Sequence, residues 1–179
     1  HNEPLVAAAL GALAALAEHE EGAKAITAQG GVATVLRWLN DNKDTANPRA
    51  AEAAMTLLAN LALIEQNVPQ MMRDGIVDMV VATLDALCTD PSNPQPRVLH
   101  AAVALLGRVA QDEKAVKELV HKGAVRRAIE IARSNPAYMG DKDAMEALIF
   151  LLESCAMVDS LRPELLRAGA AEIITDAMN

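Results

Sequence analysis

Along LVHKGAVRRAIEI, residues 119–131, the apolar positions Leu119, Val120, Val125, Ile129 and Ile131 sit close together in a helical pattern, yet Gly123 interrupts them. A glycine inside a helix costs roughly 1 kcal/mol relative to alanine. The same punctuation recurs in ITAQGGVATVL, QMMRDGIVDMVV and LLRAGAAEII, so Gly30, Gly75, Gly123 and Gly169 stand 45, 48 and 46 residues apart. A period in that range signals stacked helical units.

Between the glycines the pattern divides again. Turn-rich segments NDNKDTANP (40–48), CTDPSNPQP (88–96) and SNPAYMGDKD (134–143) precede long alanine- and leucine-rich stretches, and such clusters end helices. Long helices are predicted over Pro4–His19, Arg49–Ile64, Arg97–Ala110 and Asp143–Met157, and short ones over Glu21–Gln29, Glu65–Arg73, Glu113–Lys122 and Ser160–Arg167. Pro163 suits the opening of its helix, whereas Pro69 lies deeper and predicts a kink or a late start. Each glycine is then a corner: it tolerates positive φ and close approach between a short helix and a following helix of about three turns.

Composition narrows the class. Of 179 residues 52% are hydrophobic but only 2% aromatic, so alanine and leucine fill the interior and the chain reads as all-α. The net charge of −8 disfavours non-specific binding to nucleic acid or an anionic membrane. Cys88 and Cys155 match no metal spacing and read as buried reduced thiols of an intracellular, cytoplasmic protein, with the nucleus as the alternative compartment. No apolar run reaches the ~20 residues of a membrane span. The opening HNEPLVAAAL, without Met and already almost helical, suggests a fragment of a longer protein with an added residue or two.

The unit of short helix, glycine corner, second helix and longer third helix resembles the armadillo repeat family, with GAKAITAQGGVATVLRWL and MTLLANLAL as close matches to its helix patterns. The resemblance covers nearly the whole chain. It implies a right-handed α-solenoid of about four three-helix repeats in a single domain 1–179, truncated at both ends, with units at roughly 1–19 (partial), 20–64, 65–110, 111–157 and 158–179 (partial). LVAAALGALAAL and AAEIITDAM are not the polar caps such an array needs. Exposed apolar area is therefore expected around Leu5, Leu10, Leu13 and Leu16 or around Ile173 and Ile174, with end-to-end self-association as a consequence.

Chemistry is sparse. His19 lacks an HExxH context, and His1, His100 and His121 fall in different units. Asp141, Asp143 and Glu146 read as a loop followed by an acidic first helical turn. Trp38 and the group Met71, Met72 and Met79 read as packing. No catalysis, metal or cofactor is expected.

In armadillo proteins the third helices line a concave groove that binds an extended peptide, often pinned by an asparagine near each helix end with a tryptophan one turn earlier. Alignment on the period puts Ala15, Asn60, Arg108 and Ser154 in the asparagine row, and Gly11, Thr56, Ala104 and Phe150 one turn earlier. Glu52, His100 and Glu146 follow, then Arg49, Arg97 and Asp143. Only Asn60 matches the ladder, which argues against a nuclear-import receptor. Arg49, Arg97, His100 and Arg108 form a basic group suited to a partner's carboxylates or phosphates; otherwise they are a solvated face. Glu146 and Phe150 suit an apolar or basic residue. The expected function is a protein-binding scaffold or adaptor for a peptide segment, acidic or phosphorylated. The alternatives are a regulatory domain attached to a catalytic region and, less favoured, a nucleic-acid-binding helical repeat.

Overall fold

A computed structural model describes residues 2–44 and 47–179. His1 and part of the 40–48 turn, residues 45 and 46, lie outside the described residues. Among those described, every regular element is helical. In chain order they are α1 (Glu3–Leu16), α2 (Glu20–Ala28), α3 (Gly31–Asn42), α4 (Pro48–Leu61), α5 (Asn67–Arg73), α6 (Ile76–Leu87), α7 (Pro96–Val109), α8 (Glu113–His121), α9 (Ala124–Ser134), α10 (Pro136–Met139), α11 (Lys142–Ala156), a 3-10 turn (Asp159–Leu161), α12 (Arg162–Arg167) and α13 (Ala170–Met178). No helix among them is long and apolar enough to cross a membrane.

Gly30, Gly75, Gly123 and Gly169 have φ of 74°, 82°, 80° and 96°, and no other residue described has positive φ. Each follows a short helix and stands immediately before the first residue of the next. A side chain in this left-handed region meets its own backbone, which is why the interruption at Gly123 is glycine. The space beside Gly123 is open, with nothing within 4 Å of where a methyl group would sit. Only the backbone demands glycine there.

The helices form two layers. The long helices pack α1 on α4, α4 on α7 and α7 on α11, while α3, α6, α9 and α13 make a second row in the same order. A single cluster of buried apolar side chains runs between them from Ala7 to Ile173. Its interior is aliphatic: Leu57, Leu58, Leu61, Leu99, Leu105 and Leu106 are fully buried. Trp38 packs half-buried against this core, Met71 and Met79 are buried, and both cysteines are buried and unpaired. Burial pushes the Cys88 thiol up to about 11 and that of Cys155 to about 12.

Several elements differ from expectation. The long helices stop early, α1 at Leu16 and α4 at Leu61. After Leu61 the chain tightens through bonds from the Leu63 and Ile64 amides to the Asn60 and Leu61 carbonyls, a tertiary choice in a stretch whose composition would allow more helix. His19 precedes α2 in extended backbone. The late start expected from Pro69 is observed: α5 begins at Asn67 rather than Glu65, so the proline's missing amide hydrogen falls among those a first turn leaves unbonded. The 134–143 segment contains an unexpected helical turn, α10, capped by the Asn135 side chain. Of the apolar residues expected to be uncovered, Leu5 and Leu16 are exposed, but Leu10 is buried in the helix that packs on α4, and Ile173 is fully buried in the one that meets α9 and α11. Asp141 caps α11 by accepting from the Ala144 amide, and Asp143 lies in that helix's first turn.

Substitution at Gly123 is expected to cost stability in the order Asn, then Ala, then Val. Asparagine tolerates left-handed backbone, alanine costs about 1–2 kcal/mol, and a β-branched residue costs more. Urea denaturation of the three variants measures this, and an unchanged midpoint for Gly123→Val would remove the corner from the account.

Candidate functional site

Three contacts fix the register of the long helices. The Asn60 amide near the end of α4 donates to the Ala14 carbonyl near the end of α1, at 3.0 Å. Arg97 at the start of α7 meets Glu52 in the first half of α4, with Nε and Nη2 at 3.0 and 2.8 Å from Oε1. Gln111, just past α7, donates to the Ser154 hydroxyl near the end of α11 at 3.1 Å. Like ends adjoin, so the row is parallel and presents one rim of helix starts and one of helix ends.

At the ends, helix carbonyls lack intrahelical partners. The Glu18 amide turns to the Ala15 carbonyl, which leaves Ala14 to Asn60. The Gly107 carbonyl is taken by Gln111, whose amide also reaches Ser154. The Ser154 hydroxyl itself donates to the Phe150 carbonyl. Of the aligned row, Asn60 and Ser154 thus spend hydrogen bonds inside the protein. Asn67, buried below it, does the same, donating to the Leu61 carbonyl and to the Thr27 hydroxyl of α2.

A groove of about 940 Å³ crosses the starts of α4 and α7 and the middle and end of α1. Arg49, Glu52, Thr56 and Arg97 line one side of it and the small residues Ala8, Gly11 and Ala15 the other. Arg49 is exposed and makes no ion pair among the described residues. Gln95, which precedes α7 and lines the same groove, is held from behind by Tyr138: its backbone amide donates to the phenol oxygen at 3.1 Å, and the phenol donates to the Cys88 carbonyl at 3.1 Å. Tyr138 is 1% exposed, and burial pushes its hydroxyl up to about 12.

The other predicted residues lie apart from this groove. Arg108 is exposed in a cleft of about 400 Å³ with Leu63, Glu65, Asp112 and Glu113. Phe150 and Ser154 line a third depression with Met157. The Phe150 ring lies over Gly107, where a methyl group would approach it to 3.1 Å, which explains a glycine near the end of α7. His100 is exposed, Ala104 half-buried, and Glu146 exposed with Lys142 at 3.6 Å.

The basic group has a structural use as well. Residues 97–133 carry eight cations against four anions, and the remainder of the chain eight against twenty. Many of these cations reach sideways to acids of the flanking elements: Lys122 to Asp78 at 3.0 Å, Arg127 to Asp85, Arg133 to Asp176 at 3.4 Å and Arg97 to Glu52. Such exposed pairs are worth about 0–1 kcal/mol each. The Asp78 and Glu118 carboxylates raise the Lys122 ammonium above its ordinary range.

Alignment found Arg49, Glu52, Thr56 and Arg97, which do share a groove, but missed Gln95, Glu18, Gly107 and Gln111. Gln95 had a signal in its place before Pro96. Gln111 had none, because its role depends on a serine 43 residues away. No protein-family model matches the chain, and no curated protein matches it.

Tyr138→Phe is expected to cost about 1–3 kcal/mol, because it leaves the Gln95 amide without its acceptor; calorimetry measures it. Alkaline pH should weaken the fold. The Cys88 and Cys155 thiols ordinarily titrate at 9.0 and the Tyr138 hydroxyl at 10.0. Raised in the folded state, they keep protons that the unfolded chain releases. Their contribution is therefore complete below about pH 9 and is lost as pH rises toward 11–12. Denaturation midpoints that stay flat from about pH 8 to 11 would contradict this.

Proposed function

We propose that the chain is an armadillo-type α-solenoid, a right-handed superhelix whose units follow the glycine period, and that it acts as a non-catalytic scaffold binding a partner protein segment across the face made by α1, α4, α7 and α11. The observation that carries this reading is the parallel row of long helices with a groove of about 940 Å³ on its surface. Support for the repeat comes from the four left-handed glycines at spacings of 45, 48 and 46 residues. Cross-links at similar separations, such as Asn60–Ala14 and Lys122–Asp78, add to it. Arg49, exposed in this groove and in no ion pair among the described residues, favours an acidic or phosphorylated segment.

Peptides selected from a random displayed library against the chain are the test. For those that bind, Arg49→Glu should weaken affinity at least tenfold, about 1.4 kcal/mol, and rising salt should weaken it further because exposed charges are screened. Substitutions around Trp38 on α3 should leave affinity unchanged. The opposite pattern, sensitivity at α3 and indifference to Arg49→Glu with Arg97→Glu, sinks the proposal.

A further inference from the structure

The groove at the helix starts has properties that select its occupant. Its α1 wall is nearly featureless: Ala8, Gly11 and Ala15 are exposed and line it. Gly11 is helical, and nothing lies within 4 Å of where its side chain would begin. The other helical glycines differ. At Gly22, Gly31 and Gly107 a neighbouring atom occupies that space, at 1.9, 2.3 and 3.1 Å, so each is explained by the chain's own packing. Gly11 is not, although alanine would favour the helix.

An extended peptide laid here must find partners for its backbone amides and carbonyls. Most of the polar side chains that line the groove are already engaged within the chain: Asn47 accepts from the Arg49 amide, the Gln95 side-chain amide donates to Asn93, and Arg97 is paired with Glu52. An α-helix satisfies its own backbone and needs only close packing and matched charge.

The charge is polarised along the groove. Arg49 stands at its helix-start end and Glu18 at the other, and neither makes an ion pair among the described residues. The parallel dipoles of α4 and α7 add positive potential at the Arg49 end.

We propose that this groove seats an amphipathic α-helix of a partner protein, antiparallel to α1 and α4, with small or aliphatic residues against Ala8, Gly11 and Ala15 and a carboxylate near its C-terminus on Arg49. Along α1 the groove runs from Ala7 to Ala15, about 12 Å at 1.5 Å per residue, or a little over two helical turns. Antiparallel placement sets the negative end of the incoming helix at Arg49 and its positive end at Glu18. This inference rests on the binding reading above and specifies the kind of segment bound.

Two displayed libraries discriminate, one randomising the face of a fixed helical scaffold and one of linear unstructured peptides, both selected against the chain. The helical library should yield groove binders carrying Glu or Asp near the helix C-terminus. Gly11→Leu should reduce their affinity more than tenfold while the melting temperature holds or rises, since leucine is the better helix former. Arg49→Glu should weaken them about tenfold, and replacing the binder's carboxylate with lysine should restore binding. Groove binders that come only from the linear library, bind in extended form and ignore Gly11→Leu would overturn the helical occupant while leaving the groove as a binding face. Helical-library binders that all map to the α3, α6 and α9 side, or a helical library that yields none, would overturn it as well, and binders of both libraries mapping to that side would also sink the binding reading itself.

Discussion

Each long helix has to end, reverse and come back beside its predecessor pointing the same way, and the left-handed residue before each second helix is what permits this. A φ near 80° at Gly75 or Gly123 sends the chain from a short helix into the next without an intervening loop. With a side chain at that position the turn would carry backbone strain of about 1–2 kcal/mol. Four such corners would consume a large part of a marginal folding free energy of roughly 5–15 kcal/mol. The two-layer arrangement, the parallel row and the groove all follow from corners that glycine makes without strain.

Parallel packing creates a second requirement. Helices aligned in the same direction expose all their unbonded carbonyls at one rim, and water cannot reach every one between packed neighbours. Side-chain amides meet this need, Asn60 for Ala14, Gln111 for Gly107 and Asn67 for Leu61. Every buried side-chain nitrogen and oxygen among the described residues has a partner. Asn60 and Gln111 also link neighbouring long helices, so they hold register where aliphatic packing alone would allow sliding. Tyr138 does the same at the opposite rim, joining the turns that follow α6 and precede α7.

What was legible in the sequence was whatever depends on local chemistry or on the period. The glycine corners were readable because a conformational demand recurs at nearly fixed spacing, and the all-helical class because alanine and leucine dominate. The end of α4 was not, since Ala62, Leu63 and Ile64 contain no breaker and the stop is set by Asn67 arriving from the next element. α10 was hidden by turn-forming residues, and its purpose, burying Tyr138, is visible only with Cys88 and Gln95 beside it. Burial of Leu10 and Ile173 depends on helices distant along the chain, α4 for the first and α9 and α11 for the second. At the helix ends, alignment identified the row that contains Asn60 but could not reveal that its amide donates to the Ala14 carbonyl.

The two arginines at the helix starts differ in how their charge is compensated. Pro48–Arg49 and Pro96–Arg97 open α4 and α7, which sets a cation in the first turn, where the macrodipole is positive and basic residues cost about 0.3–1 kcal/mol. At α7 the cost is offset, because Glu52 of α4 receives the guanidinium. At α4 no carboxylate among the described residues does this for Arg49. In a chain of net charge −8 the helix-start rim is thus locally positive, through dipoles that add and a guanidinium left to solvent. Negative charge near this rim would relieve both unfavourable terms at once, for the same electrostatic reason that the two arginines slightly disfavour the fold.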